Sequence, residues 1–501
     1  MTRPTRPTKG RIRMPTSSAP TPTGGSAGGT GRHLGWTLTL LALAQLIYAL
    51  DLNIVFVALP EIGDDLGFPG QTQQLVVSAY VVFAGGFLLV SGRAADLLGR
   101  RRTFVAALLV YALSSLAGVL APDSGTIIAA RAIQGIGGAL LLPATLSLIN
   151  TLFEEGPKRN RALAVWGGAG AGGLTIGALL TENFGWPAVF FVNVPLAGLA
   201  ALFVIPRDPA RGIRRRFDLP GVLAVTGGST LLVAALVEGP ELGWGSTWVT
   251  GAFIAAVLLL TFFAAIEART ADPLMPFRLF RNRSLTVGTS ITFLYVATFG
   301  VLPYFLTVLM QSVHGYSALE TGLAFLIPSA AIAVGTQLGE RLATRIGNRG
   351  TLAIGFVTGA IGTAALALGF DDGAGYGLPV PGLVVSGIGQ GIAWTAMWIA
   401  AATGTPADEQ GVANGIASST LNLGNAIGLA VFTAIADVGT EGKSGSALRA
   451  ATADGEFLVV LPTAVGMVIG LLCTLGLRRP AAAALPAAAP IRGDEVESAR
   501  R

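Results

Sequence analysis

QQLVVSAYVVFAGGFLLVSGRAADLLGRRRTFVAALLVYALSSLAGVL, residues 73–120, sets two apolar runs around a short polar segment that carries Arg93, Asp96, Arg100, Arg101 and Arg102. Each run has about the 20 residues that a helix needs to cross a hydrocarbon core of roughly 30 Å. Neither alternates between polar and apolar positions, and lipid requires each backbone N–H and C=O to find its partner within the segment, so both runs read as helices rather than barrel strands. Working outward from this pair, the same pattern fills the chain. Apolar stretches fall near 36–58, 73–92, 103–122, 126–152, 162–181, 187–206, 219–237, 247–266, 285–313, 319–338, 351–370, 379–404, 411–436 and 457–477. The expected fold is an all-α polytopic membrane protein with fourteen transmembrane helices.

Composition agrees. A chain of 501 residues that is 52% hydrophobic and 12% charged, with mean hydropathy +0.65, cannot hide its apolar surface in a water-soluble core. Of its 33 Lys and Arg residues, 30 fall in the two tails and in alternate loops, around Arg93–Arg102, Lys158–Arg161, Arg207–Arg216, Arg269–Arg283 and Arg341–Arg349, while the intervening loops carry Glu61, Asp65, Asp123, Glu182, Glu238 and Glu320. Lys443 and Arg449 break the pattern. Retained Lys and Arg set orientation during insertion, so the basic loops and both basic termini are expected in the cytoplasm, which requires an even number of spans. Residues 1–35 are rich in Pro, Thr, Gly and Arg without an apolar core, and read as a cytoplasmic tail rather than a cleaved signal. The tail 478–501 reads likewise.

Several function classes fall away. The net charge of +5 flanks spans instead of forming one face, which argues for lipid contact and against nucleic acid. Cys473 is alone, so neither a disulfide nor a cysteine metal site is expected. No P-loop is present, and no cofactor is implied. Gly168, Gly170 and Gly173 match a G-x-G-x-x-G spacing, but no strand precedes them, and small residues in an apolar run suit close helix packing. The spans lack the clustered His, Asp or Glu that chemistry within a bilayer needs, so an enzyme is not expected.

The stretches 219–237 and 247–266 contain no charge and read as an inserted pair, leaving six spans on either side. The expected organisation is a six-helix half over 36–206, loops and a two-helix insert over 207–283, and a second six-helix half over 284–477. Weak echoes support a repeat. Gln134-Gly135 recurs as Gln390-Gly391, and Gly99 with Arg101 recurs as Gly347 with Arg349.

Charge inside a span is costly and marks function by default. Asp51 lies roughly 22 Å from the cytoplasmic end of its helix at about 1.5 Å per residue. Arg131, entering from outside, lies roughly 7 Å from the other surface. In a core of roughly 30 Å these depths coincide, so an ion pair is possible, directly or through water. It either locks two helices or exchanges a proton or a cationic ligand, with Arg131 favouring the ionised carboxylate. Tyr48 and Gln134 each lie three residues away and share those helix faces. Gln134 serves equally as a cavity group or an interhelical hydrogen bond. Tyr295, Tyr304, Trp394, Met397 and Trp398 are candidates to stack on an aromatic ligand or to face lipid.

Four stretches resemble the major facilitator superfamily, and within it the fourteen-span drug:proton antiporter branch. Leu50-Asp51-Leu52-Asn53-Ile54-Val55-Phe56-Val57-Ala58-Leu59-Pro60 is similar to the branch's first-span signature, with Asn53 where Thr is usual and Phe56 where Asn is usual. Gly92-Arg93-Ala94-Ala95-Asp96-Leu97-Leu98-Gly99-Arg100-Arg101-Arg102 resembles the loop motif between spans two and three. The resemblance implies that Gly92, Asp96, Gly99, Arg100 and Arg101 form a cytoplasmic gate. Arg131-Ala132-Ile133-Gln134-Gly135-Ile136-Gly137-Gly138-Ala139 is similar to the fourth-span motif, whose arginine the family associates with proton coupling. Trp186 through Pro195 resembles the segment entering span six. The fifth-span motif usually ends in Gly-Pro, whereas this chain reads Gly173-Leu174-Thr175-Ile176-Gly177 without the proline.

The resemblance implies a plasma-membrane secondary transporter that exports amphipathic small molecules against protons by alternating access. Asp51 and Arg131 would couple the proton, and Tyr48, Gln134, Tyr304, Trp394 and Trp398 would face the substrate. Uptake or facilitated diffusion without antiport, and a nontransporting receptor, are the alternatives. Oligomeric state and substrate identity are open.

Overall fold

The computed structural model describes residues 27–67, 70–170, 173–202, 218–270, 273–367, 376–436, 438–439 and 443–477. The expected loop around Arg207–Arg216, the tail after 477 and residues 1–26 of the first tail lie outside the described residues.

All regular structure among the described residues is helical. The first half comprises α1 (Ala27–Leu66), α2 (Gly70–Leu98), α3 (Arg100–Val119), α4 (Ser124–Leu152), α5 (Pro157–Ala169), α6 (Gly173–Phe184), α7 (Pro187–Phe191) and α8 (Asn193–Leu202). The stretch expected as an inserted pair forms α9 (Leu219–Leu242) and α10 (Thr247–Glu267). The second half comprises α11 (Arg283–Tyr295), α12 (Leu302–Val308), α13 (Ala318–Ala324), α14 (Leu326–Leu366), α15 (Val380–Ala402), α16 (Gln410–Ala436) and α17 (Gly445–Thr474).

Among the described residues, eleven helical segments are long and apolar enough to cross a membrane. The expected fifth span is shared between α5 and α6, and the sixth falls on the shorter apolar stretch Pro187–Ala200. The continuous segment Leu319–Leu366 holds two expected spans, and within it Gly347 is non-helical (φ 76°, ψ 166°). The expected ninth span carries π-helical turns at Val296–Gly300 and Leu309–Val313 around α12.

Local chemistry explains several helix starts. Asp123 accepts the Thr126 amide at 2.9 Å, and Asn282 accepts that of Ser284 at 3.0 Å. Ser317 and Glu320 form a reciprocal capping box ahead of α13. On α10, Leu258 and Phe262 are 64% and 57% exposed, the outward apolar face expected of a helix whose solvent is lipid.

The two halves repeat one packing plan. Gly99 ends α2 with φ 103°, and its sequence echo Gly347 has φ 76°, a region open to glycine because it lacks a Cβ. A Cβ on Gly135 of α4 would lie 2.4 Å from the Tyr80 carbonyl oxygen of α2. A Cβ on Gly391 of α15 would lie 2.2 Å from the Ile332 carbonyl oxygen of α14. The paired Gln-Gly sequences thus do the same work in each half, letting two helix backbones touch. Between the halves, α2 packs on α16, α5 on α14 and α6 on α13. Helix α9 lies against both α2 and α16.

Candidate functional site

Asp51 and Arg131 meet directly. Arg131 Nη1 donates to Asp51 Oδ2 at 2.7 Å, and the two side chains are 1% and 0% exposed. The other carboxylate oxygen accepts from Gln134 Nε2 at 2.8 Å and Asn193 Nδ2 at 3.1 Å. Arg131 also donates to Gln134 Oε1 at 2.8 Å and, through Nε, to the Val76 carbonyl at 3.2 Å. Its guanidinium stacks over the Tyr80 ring, 4.3 Å from the centroid. Gln134 further reaches Ser115 Oγ at 2.8 Å. Five helices therefore meet on one carboxylate cluster: α1, α2, α3, α4 and α8. Asn193 stands in a stretch whose resemblance was noted without a role for this residue. Ser115 carries no signal that separates it from the other small polar residues of an apolar span.

A charge pair sealed from water in this way holds together because each partner supplies the other's counter-charge and every carboxylate oxygen has donors. Taking the charge from Asp51 leaves Arg131 buried and unpaired, a change that in buried ion pairs costs about 3–5 kcal/mol.

Beside the cluster, and between the halves, lies a cavity of about 250 Å³. The first half contributes Gln45, Tyr48, Ala49, Leu142 and Gly167, and the second contributes Tyr295, Pro328, Gln390 and Trp394 among others. Gln45, Tyr48 and Ala49 occupy one face of α1, and Asp51 lies round the next face. Tyr48 thus stands between cavity and carboxylate, with Asn422 of α16 beside it. Tyr295, Leu302 and Leu306 bracket the first π-helical turn. Such turns re-aim side chains at functional sites.

Trp394 stacks on Trp166 of α5 with centroids 6.2 Å apart and planes at 12°, and Trp398 meets Trp166 edge-on at 5.8 Å. This cluster joins the halves between the cavity and the end that carries the basic loops. Met397 is buried in the same core. Of the expected cavity residues, Tyr48 and Trp394 line the space, Trp398 lies behind Trp394, and Gln134 belongs to the carboxylate cluster. Tyr304 is 43% exposed, packs on Phe305 and does not line the cavity. Gln45 and Trp166 were not singled out from sequence, since both sit in ordinary apolar runs.

At the basic-loop end, Asp96 accepts the backbone amides of Gly411 at 3.1 Å and Val412 at 2.8 Å, at the start of α16. A helix N-terminus presents free N–H groups and partial positive charge, which suits a carboxylate. Arg100 reaches Asp96 at 3.4 Å and also donates to the Ala407 carbonyl. Gly92 allows the approach, because a Cβ there would lie 2.4 Å from the Gly411 oxygen and 2.9 Å from Gly415 Cα. Gly99 makes the turn, and Arg101 lies partly exposed beside it. Two further contacts bridge the halves nearby, Asn150 to Asn414 at 3.3 Å and Asn160 to Thr344 at 3.2 Å. Three residues of the loop motif, Gly92, Asp96 and Arg100, thus meet the second half at one seam, and α2 and α16 are joined there.

Comparison with known proteins fits this geometry. The chain is 37% identical to the puromycin resistance protein of Streptomyces alboniger, over 87% of this chain and 89% of that one. It is 36% identical to the cephamycin export protein of Amycolatopsis lactamdurans, over 81% and 86%. Among solved structures, a proton:xylose symporter matches 88% of this chain and 95% of its own at a TM-score of 0.59 and 15% identity, a likeness of fold. The model of the Major Facilitator Superfamily matches residues 41–429. With two helical halves around a central cavity, and that model covering most of its length, the chain belongs to the major facilitator superfamily as a multi-pass membrane protein.

Proposed function

We propose that the protein is a drug-efflux transporter that exports amphipathic small molecules from the cell in exchange for protons. The observation that carries this reading is the buried Asp51–Arg131 pair, set beside a cavity shared by the two halves. The relatives named for resistance and export support the direction of transport. In this reading fourteen spans cross the plasma membrane, six in 36–206, two in 207–283 and six in 284–477, with tails 1–35 and 478–501 and the basic loops in the cytoplasm.

Asp51 and Arg131 couple the proton. With Asp51 ionised the first-half helices converge on it. With Asp51 protonated the charge that holds Arg131 and Asn193 is gone, α1 and α4 relax, and Tyr48 transmits the change to the cavity wall. Gly92, Asp96, Gly99, Arg100 and Arg101 hold the cytoplasmic side shut, so that access alternates as this closure and the α6–α13 contact break in turn.

Flux in proteoliposomes under an imposed pH gradient tests the reading. Unaltered protein accumulates a substrate and moves protons in the opposite direction, whereas Asp51→Asn moves substrate only down its own gradient. Gradient-driven accumulation by Asp51→Asn would show that Asp51 is structural.

A further inference from the structure

We propose that the central cavity selects uncharged apolar or aromatic molecules over cations, so that their exchange for protons carries net charge across the membrane. This rests on the transport reading above and adds the class of substrate. Among the described residues that line the cavity there is no Asp, Glu, Lys, Arg or His. Its polar groups are neutral: the amides of Gln45 and Gln390, the hydroxyls of Tyr48, Tyr295, Ser329 and Ser386, and the indole of Trp394. The remaining wall is aliphatic and aromatic.

Asp51 does not supply a counter-charge. Its carboxylate is 0% exposed, and both oxygens are taken by Arg131, Gln134 and Asn193. Seen from the cavity, Asp51 and Arg131 form a neutral pair behind Tyr48. A cation entering loses its hydration without gaining a partner, which is strongly unfavourable in a water-poor interior. Protonation of Asp51 deepens the exclusion, because it leaves Arg131 as the uncompensated charge. An uncharged molecule loses far less. It covers the ring of Tyr295 and the indole of Trp394, and it can bond to Gln45, whose side-chain oxygen is buried without a partner.

The charge balance follows. One uncharged molecule out for any number of protons in moves positive charge inward, so flux answers to membrane potential as well as to the pH gradient. Exchange of a monovalent cation for one proton would be electrically silent.

Two compounds of nearly the same shape separate the alternatives. Triphenylphosphine oxide is neutral, and methyltriphenylphosphonium is a permanent cation. Binding to the purified full-length protein is measured by calorimetry, with a Ser329→Trp variant that fills the cavity as the blank for micelle partitioning. The oxide should bind at least about tenfold more tightly, a difference of about 1.4 kcal/mol. Gln390→Glu, which places a carboxylate in the wall, should narrow or reverse that preference. Equal or tighter binding of the phosphonium to unaltered protein overturns the proposal, as does failure of both compounds to bind above the blank. Current recorded from protein-bearing liposomes on a solid support, after a pulse of the oxide, then tests proton exchange separately. If the binding order holds and no current flows, the antiport reading fails while the charge selectivity stands.

Discussion

Asp96→Ala should open the basic-loop end of the protein by about two orders of magnitude. The carboxylate is bonded to two backbone amides at the first turn of α16, at 3.1 and 2.8 Å, and Asp96 is 7% exposed. A hydrogen bond to a charged group contributes about 1.5–3 kcal/mol. Removing two of them, with partial replacement by water at the freed amides, leaves a loss of about 3 kcal/mol to the closed arrangement. Each 1.36 kcal/mol is about tenfold in an equilibrium, so the open fraction rises about 100-fold. Ser418 makes a suitable reporter. It is 0% exposed on α16, one turn beyond Asn414, which meets Asn150 across the halves. In a Cys473→Ser background, Ser418→Cys is alkylated by a water-soluble maleimide at a rate set by the open fraction. Asp96→Ala should raise that rate about 100-fold, and Asp96→Asn, whose amide oxygen still accepts one amide, about tenfold. Equal rates in all three proteins would refute the assignment of closure to this carboxylate.

The repeated Gln-Gly pairs make a matched test. Gly135→Ala and Gly391→Ala each push a methyl group into a backbone carbonyl, so each should lower stability by about 1–3 kcal/mol and depress the melting temperature in detergent, whereas Gly251→Ala, with nothing within 4 Å, should not. Ser317→Ala removes the capping box of α13 and should cost about 1 kcal/mol, seen as faster amide exchange over residues 318–324 with the rest of the protein unchanged.

Much of the site was legible because charge in lipid is rare and depth along a helix is arithmetic. Asp51 and Arg131 stand at matching depths when counted from opposite membrane faces, and the structure joins them directly at 2.7 Å. Gly99 and Gly347 were legible as an echo, and both prove to hold a positive φ that a side chain resists. What escaped notice has a common cause. Asn193 and Ser115 are neutral, so each costs a span less than a charge does and does not stand out as Asp51 and Arg131 do. Their partnership with Asp51 and Gln134 depends on how helices distant in sequence are rotated about their axes. Tyr304 shows the same gap from the other side. Hydropathy places it in a span, yet only packing reveals that its neighbours Pro303 and Leu302 face the cavity while its own ring turns outward.

Helix α9 touches α2 and α16 together, and so lies across one of the two lines along which the halves meet. Across the other line, where α5 meets α14, the inserted pair has no counterpart. The pseudo-symmetry of the core is thereby broken on its outer surface. An oily molecule dissolved in the bilayer and wandering along this protein meets, among the described residues, one seam overlaid by α9 and another without it, so its approach is handed.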